Sequence, residues 1–338
     1  MSTSGGTGNP RDPIFQAVDL LGDAWSWLIM RNAIFDGDTR FTEFQRDLKI
    51  SRKVLSTRLE SLTNAGVLRR NIGRDTVGYA VTDMGLDFLP SLLMALAWGE
   101  RWAIDRATAD RWATHLPHGH DLQATFNCSE CATPLAARDV RPPDLRSTTT
   151  AHLARSRTRT PNLELIQESQ NCAIARSQQV IGDRWSALVI RECFLGTRNF
   201  NGFQENLGIA TNILVNRLDR LVALGVILKN LRSGQSSYSE YRLSERGLDL
   251  YGLPLSLLAW AQKWVDPHTP TERLWHLVCG RETSPVLACG TCGVAVRRQD
   301  IELGSRRADV MTDLTTARQT AMSAERCCPT GAHAGSSQ

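Results

Sequence analysis

The 338-residue sequence predicts a mainly α-helical fold with small β wings, built as two tandem modules that each end in a small Cys/His appendix. Three observations support this prediction: an internal repeat, a helical spacing of apolar residues within each copy, and paired Cys and His residues after each copy. A hydrophobic content of 42% and a charged content of 22% are typical of globular chains. No apolar run approaches the roughly 20 residues of a membrane helix, and the N-terminus lacks a signal-peptide pattern, so we expect a cytoplasmic protein.

The repeat appears when the two halves of the sequence are aligned. Residues 21–68 match residues 181–227 with one extra residue near Asp36, and 18 of 47 aligned positions are identical. Such agreement indicates a duplication. The predicted division is a flexible N-terminus (1–13), a first module (14–113) with its appendix (114–143), a basic linker (144–162), a second module (163–270) with its appendix (271–303), and a flexible tail (304–338).

The first half of each module predicts a series of short helices. In the first copy, apolar spacing over residues 14–34 predicts helices that are interrupted at Gly22. A short helix over residues 42–48 is followed by Ser51, a good N-cap, and by a helix that Gly66 ends. Two helices of this size joined by a tight turn form a helix-turn-helix.

The second half of each module predicts a wing and a long helix. Short β-like runs flank a basic loop at residues 71–77 and again at 231–239, which completes a winged helix-turn-helix. Apolar terminal helices follow at residues 86–104 and 248–265. Because their apolar faces are too large for one small domain to cover, we expect self-association through these helices, within one chain or between chains.

The order of motifs is the same in both repeats. It runs G-[DK]-x-W-[ST], [RN]-F-x-x-[FL]-Q, I-[SA]-x-x-x-L-x-x-R-L-x-x-L-x-x-x-G-[VL] and Y-x-[VL]-[TS]-x-x-G, followed by a Trp-rich helix. This order resembles HxlR-type winged helix-turn-helix regulators over about two hundred residues. The resemblance implies a bacterial transcription factor, usually a repressor, that binds double-stranded DNA as a homodimer joined through its terminal helices. Since this chain carries two modules, one polypeptide could already supply a pseudo-dimer, with a dimer of tandem chains as the alternative.

The resemblance also draws attention to a cysteine. Some family members use a Cys ten residues before the motif glycine as a redox sensor. Cys172 occupies that place before Gly182, whereas Asp12 occupies it in the first repeat. A symmetric thiol switch is therefore not expected, although Cys172 alone is a redox candidate.

The two recognition helices predict different DNA contacts. Outward-facing candidates are Arg52, Lys53, Ser56, Thr57 and Arg58 in the first repeat, and Thr211, Asn212, Val215, Asn216 and Arg217 in the second. Arg and Lys suit guanine and Asn suits adenine, so we expect an operator made of two different half-sites. Basic wing residues are expected near phosphates: Arg69, Arg70, Arg74, Lys229 and Arg232. The alternative interpretation is an ordinary solvated helix face.

The Cys/His appendices keep their spacing across the duplication. The candidate ligands are His115, His118, Cys128 and Cys131 in the first repeat, and His276, Cys279, Cys289 and Cys292 in the second. Four N/S ligands in two x-x pairs match a closed tetrahedral zinc site, so we expect one structural zinc ion in each zinc-ribbon-like appendix. A metal-free knuckle and a redox-active dithiol are the alternatives.

These features favour a sequence-specific DNA-binding transcriptional regulator, and specifically a repressor, whose two non-identical recognition helices read paired half-sites. Two alternatives stay open. One is a zinc-braced protein-interaction module that has lost specific DNA binding, and the other is a thiol- or ligand-responsive regulator acting through Cys172. An enzyme is not expected, because the sequence has no Gly-rich phosphate loop, no G-x-S-x-G elbow and no His-Glu-x-x-His motif.

Overall fold

A computed structural model describes residues 13–72, 77–141, 171–231, 239–267 and 274–306. The predicted linker and nearly all of the predicted N-terminus and tail lie outside these residues, as do the wing residues Arg74 and Arg232.

The helices and strands of the first repeat run in the predicted order. They are α1 (Pro13–Leu21), α2 (Ala24–Arg31), α3 (Phe41–Leu48), α4 (Arg52–Asn64), β1 (Leu68–Ile72), β2 (Val77–Val81), α5 (Asp83–Leu86) and α6 (Leu89–Trp102). The first appendix adds β3 (Arg111–His115), β4 (His120–Asp121), β5 (Ala124–Cys128) and β6 (Val140–Arg141).

The second repeat has the same order. Its elements are α7 (Ala173–Ile181), α8 (Arg184–Phe194), α9 (Phe200–Leu207), α10 (Thr211–Ala223), β7 (Ile227–Leu231), β8 (Ser239–Leu243), α11 (Glu245–Leu248) and α12 (Gly252–Trp264). The second appendix adds β9 (Leu274–His276), β10 (Arg281–Thr283), β11 (Pro285–Cys289) and β12 (Ile301–Ser305). None of the helices in the described residues combines the length and hydropathy that a membrane span requires.

The G-D-x-W-S motif marks the start of a helix in both repeats. The carboxylate of Asp23 accepts hydrogen bonds from the backbone nitrogens of Trp25 (3.1 Å) and Ser26 (3.2 Å), and from the Ser26 hydroxyl at 2.6 Å. Asp183 makes the same set of bonds at the start of α8. These bonds satisfy backbone donors at the helix N-terminus. The predicted interruption at Gly22 is therefore confirmed.

The extra residue of the first repeat lies in a π-helical turn, Asn32–Asp36, which follows α2 directly. In the second repeat α8 stays α-helical to Phe194. A π turn accommodates one additional residue without ending the helix. It also brings the side chain of Asp36, which is only 1% exposed, to 2.6 Å from Arg111 at the start of β3.

The helix-turn-helix and wing follow as predicted. Ser51 caps α4 by accepting a hydrogen bond from the backbone of Val54 at 3.4 Å. Gly66 has a φ of +77° just after α4, a conformation that favours glycine and ends the helix. The antiparallel pairs β1–β2 and β7–β8 form the two wings.

The terminal helices begin later than predicted. A short α5 is separated from α6 by two residues, and a 3-10 turn over Asp249–Tyr251 separates α11 from α12. Pro90 lies in the first turn of α6, where proline is tolerated because its missing N–H has no helical partner.

The two repeats exchange their terminal helices within one chain. Helix α1 packs on α12, and α7 packs on α6. The indole Nε1 of Trp98 donates to the carbonyl of Arg246 at 2.9 Å, and that of Trp260 donates to the carbonyl of Met84 at 2.8 Å. The second tryptophan of each helix bonds to an aspartate of the other repeat: Trp102 to Asp249 and Trp264 to Asp87. The repeats thus form a pseudo-dimer with one continuous core.

The appendix strands also pair across the repeats. Strand β5 pairs with β11, β3 with β12, and β6 with β9, and all three pairs are antiparallel. The two appendices therefore interleave, so that each of these sheets contains strands of both repeats.

Candidate DNA-reading helices and metal clusters

Helix α4 separates a buried leucine face from a polar outer face. Its leucines at positions 55, 59 and 62 are fully buried. The side chains of Arg52, Lys53, Ser56 and Thr57 are exposed. These four side chains lie on the outer face, as predicted, where a recognition helix would contact base edges in the major groove.

Helix α10 presents a less charged outer face. Thr211, Asn212, Val215 and Asn216 are exposed, and Val215 retains 44% of its accessible surface. Asn216 accepts a hydrogen bond on its side-chain oxygen from Arg217 at 2.6 Å. The two outer faces therefore differ in charge and in hydrogen-bonding groups, as the sequence predicts.

Two arginines that were predicted to contact DNA instead form ion pairs within the protein. Arg58 pairs with Asp23 at 3.1 Å, and Arg217 pairs with Asp183 at 2.8 Å. The two arginine side chains are only 21% and 12% exposed, respectively. Each arginine thus connects its recognition helix to the N-cap of the helix two before it, α2 or α8, whereas both arginines were predicted on the outer face.

The wing contributes Arg69 and Arg70, which are both exposed on β1. Lys229 is exposed on β7, with its Nζ 5.9 Å from the centroid of the Tyr241 ring. These cations lie on the wings that follow each recognition helix, where phosphate contacts were predicted.

Two Cys/His clusters lie in the interleaved appendices. One consists of His115, His120, Cys289 and Cys292, and the other of Cys128, Cys131, His276 and Cys279. In each cluster the potential ligand atoms all lie within 4.8 Å of one another. Each cluster takes two residues from each repeat, whereas the spacing predicted all four from one repeat. The difference follows from the strand pairing, because β5 lies beside β11 and each hairpin faces the other repeat.

His120 occupies the place that the spacing assigned to His118. His118 is exposed, and its ring stacks on that of His115 with 4.9 Å between centroids. The Nδ1 of His120 lies 2.9 Å from the Asp121 carbonyl, while its Nε2 is buried and has no hydrogen-bond partner among the described residues. The signal for His120 was its position two residues after His118, but the x-x spacing shared with Cys279 drew attention to His118 instead.

The distances within the cluster of Cys128, Cys131, His276 and Cys279 fit an ion with tetrahedral coordination. The Nδ1 of His276 lies 3.4 Å from the sulfurs of both Cys131 and Cys279, and the sulfurs of Cys128 and Cys279 are 3.8 Å apart. Tetrahedral bonds of about 2.3 Å would place two sulfurs about 3.8 Å apart. In the first cluster, His115 Nδ1 lies 3.4 Å from Cys292 Sγ.

Hydrogen bonds favour a thiolate at Cys128. Burial acts to raise the pKa of this thiol, but hydrogen bonds from Thr283 and from the backbone of Cys131 and Glu130 lower it below its usual value. The Thr283 hydroxyl lies 3.1 Å from the sulfur. Because thiolates are the metal-binding form of cysteine, this environment fits a metal ligand.

Cys172 lies between the two repeats and is only 1% exposed. Its sulfur accepts a hydrogen bond from Nη1 of Arg31 at 3.1 Å. Burial acts to raise the pKa of the thiol, but the charges of Arg31 and Arg111 outweigh burial and lower it. The two arginines therefore favour the thiolate form of Cys172, but burial closes its sulfur off from solvent.

Comparisons with known proteins match each repeat separately. The sequence profile of the HxlR-like helix-turn-helix family matches residues 20–107 and 180–269. The uncharacterized HTH-type transcriptional regulator MT3179 of Mycobacterium tuberculosis is 34% identical over 139 residues, which cover 41% of this chain and 88% of that protein. The uncharacterized HTH-type transcriptional regulator YdeP of Bacillus subtilis is 31% identical over 107 residues, covering 30% and 83%. The crystal structure of PA1607 is 34% identical and covers 38% of this chain and 91% of its own, with a TM-score of 0.34.

Proposed function

Because the chain belongs to the HxlR-like helix-turn-helix family, we propose that it is a sequence-specific transcriptional repressor that reads two different half-sites of double-stranded DNA with α4 and α10. The observation that carries this proposal is the pairing of two recognition helices with different outer faces in one chain. A palindromic operator suits two identical recognition helices, so two different recognition helices suit an asymmetric operator.

The outer face of α4 supplies donors for guanine. Arg52 and Lys53 lie in its first turn, the part of a recognition helix that contacts base edges, and their side chains suit guanine O6 and N7. Ser56 and Thr57 bond to a base or a phosphate. Arg70, on the wing, contacts the DNA backbone and fixes the orientation of the module.

The outer face of α10 suits A·T pairs. Asn212 and Asn216 suit adenine N6 and N7, and Val215 suits the thymine methyl group. Thr211 begins the helix and accepts a hydrogen bond from Gln204 at 2.9 Å, which orients it next to α9. Arg217 acts as a positioning residue through Asp183 and does not touch DNA.

The selection of binding sites from random DNA tests this proposal. We expect the purified chain to enrich a site without dyad symmetry. A variant that carries the outer residues of α4 on α10 (Thr211→Arg, Asn212→Lys, Val215→Ser, Asn216→Thr) should enrich a dyad-symmetric site. Asp219→Glu is the matched control, because it copies Glu60 of α4 outside the set of reading residues.

Two outcomes would contradict the proposal. A dyad-symmetric site selected by the natural chain would mean that the two heads read the same sequence. Affinity that never exceeds that for scrambled DNA at physiological salt would instead favour the protein-interaction alternative, because a specific regulator binds its site about a thousandfold or more tighter.

Zinc is the ion that the two clusters fit best. Both offer only nitrogen and sulfur ligands, supply all four positions, and leave none open for chemistry, as in structural zinc sites. The Asp121 carbonyl at Nδ1 of His120 would fix the tautomer that presents Nε2 to the ion. When bound, zinc would hold the interleaved appendices together.

A further inference from the structure

A cavity of about 660 Å³ lies between the two repeats. Its walls come from α6, from β5 and the loop after it, and from α11 and the turn that precedes α12. Its volume is within the range of roughly 300–1,000 Å³ that is typical of small-molecule sites. The recognition helices do not line it, whereas Gly290, next to the cluster residue Cys289, does.

The walls are mostly apolar. Met94, Trp98, Phe126, Leu135 and Tyr251 line the cavity, and each is at least nine-tenths buried in the fold. An organic molecule with an apolar body would replace water against these side chains, which is the favourable term in most small-molecule sites.

One lining carboxylate is buried, and its ion pair with Arg106 is long. The side chain of Glu100 is 9% exposed, and its Oε1 has no hydrogen-bond partner among the described residues. Its nearest cation is Arg106, whose Nε lies 3.6 Å from Glu100 Oε2 but 3.2 Å from Asp121 Oδ2. Burial, reinforced by the charge of Asp121, raises the pKa of Glu100 to about 7, against the opposing effect of Arg106.

Other charged groups around the cavity are paired. Arg101 lies 3.1 Å from Asp249, and Arg138 bonds to Glu245. Both arginines are largely exposed, so these pairs lie at the solvent side of the cavity. Glu100 Oε1 is thus a buried acceptor without a partner, and the Nη2 of Arg106 is a buried donor that also has none among the described residues. A ligand that donates to Glu100, and preferably carries a positive charge, would satisfy the acceptor.

We propose that this cavity is an effector site for a small organic cation, whose apolar body contacts the Trp98 and Phe126 walls and whose ammonium group pairs with Glu100. Because the walls belong to both repeats, a bound cation would contact both of them and change their relative position. The regulatory consequence, a change in operator affinity, rests on the proposed function, but cation binding itself does not.

Three naphthalene probes test the site: 1-naphthylmethylamine, 1-naphthylmethanol and 1-naphthylacetate. They share one aromatic body and differ in charge. We expect the amine to bind the full-length chain at least roughly tenfold more tightly than the alcohol by isothermal titration calorimetry, since a hydrogen bond to a charged group contributes about 1.5–3 kcal/mol. The carboxylate should bind more weakly than the alcohol.

Two variants locate the preference. Glu100→Gln should bring the amine to the affinity of the alcohol. Glu245→Gln is the matched control, because it removes a carboxylate of the same cavity that is already paired, and the preference should persist. Equal affinity for all three probes, an absence of amine binding, or a preference that survives Glu100→Gln would overturn the proposal.

The same titrations, repeated with selected operator DNA, separate the two proposals. A change of operator affinity with the amine that is lost in Glu100→Gln would support regulation through the cavity. If the chain binds the amine but no DNA, the effector site stands and the proposed function fails.

Discussion

The Nδ1 atom of His115 lies 3.4 Å from the Sγ atom of Cys292, although 177 positions separate the two residues in the chain. Each Cys/His cluster therefore joins the end of the first repeat to the end of the second. This arrangement predicts which ligands depend on one another, and the prediction differs from the one that the spacing within a repeat suggests.

If each cluster holds a zinc ion, as proposed, removal of His120 should release one of the two ions, whereas removal of His118 should release none. His120 presents a buried Nε2 to its cluster, while His118 is exposed beside it. Metal analysis of His120→Ala and His118→Ala after gel filtration gives the stoichiometry directly. Two ions in His120→Ala and one in His118→Ala would restore the assignment made from spacing alone.

The two reading heads should be separable by mutation. Arg52→Ala should weaken binding mainly through one half-site and Asn216→Ala mainly through the other, each by about 1–3 kcal/mol, because each removes a proposed bidentate base contact. Affinities for operators with either half-site scrambled check this assignment. If both variants lost affinity through the same half-site, two independent heads would be ruled out.

The Arg58 and Arg217 side chains should affect stability rather than sequence preference. Each is paired with the aspartate that caps a helix. Arg217→Ala should lower the free energy of unfolding by about 2 kcal/mol, as expected for loss of a charged hydrogen bond, and Arg58→Ala by less, because Arg58 Nε lies 3.1 Å from Asp23 without a hydrogen bond. Urea denaturation followed by tryptophan fluorescence measures the change. Exposed Arg52→Ala is the control, with an unfolding free energy close to that of the natural chain.

Glu100→Gln should stabilise the fold at alkaline pH. The folded-state pKa is raised from 4.5 to about 7, so the folded chain holds the proton more tightly than the unfolded chain between these values. Stability from this group consequently falls as pH rises through that window, and the cost is complete above pH 7.

At pH 8 the variant should be more stable by about 1–2 kcal/mol, less than the full shift implies because Arg106 and solvent screen the charge. The advantage should shrink as the pH approaches 5. Denaturation curves at several pH values check the trend, and a difference that does not depend on pH would argue against titration of Glu100.

Local features of the fold were predictable from the sequence. The cap at Ser51, the end of α4 at Gly66 and the interruption at Gly22 depend on residues within a few positions, and all three are confirmed. The predicted starts of α6 and α12 are too early, because apolar spacing continues through the short turns before them; Pro90, in the first turn of α6, marks the true start of that helix.

The composition of the metal clusters was not predictable from spacing. The same Cys-x-x-Cys hairpin serves a site within one repeat or between two, and only the pairing of β5 with β11 decides between them. The roles of Arg58 and Arg217 were missed for a related reason. Helical periodicity separates a buried face from an outer one, but a long side chain at the boundary turns toward whichever charge lies beside it, here Asp23 or Asp183.

Trp98 and Trp260 each bond to the other repeat of the same chain, and this affects how pairing of the two modules depends on protein concentration. When two separate chains must dimerise before they bind DNA, dilution dissociates the dimer, and operator occupancy falls steeply at low protein copy number. Here both partners of the exchange belong to one polypeptide, so each head stays at a high effective concentration around the other however few molecules are present. If the chain reads DNA as proposed, operator occupancy changes in a graded manner with its abundance, and each half-site can diverge together with the recognition helix that reads it.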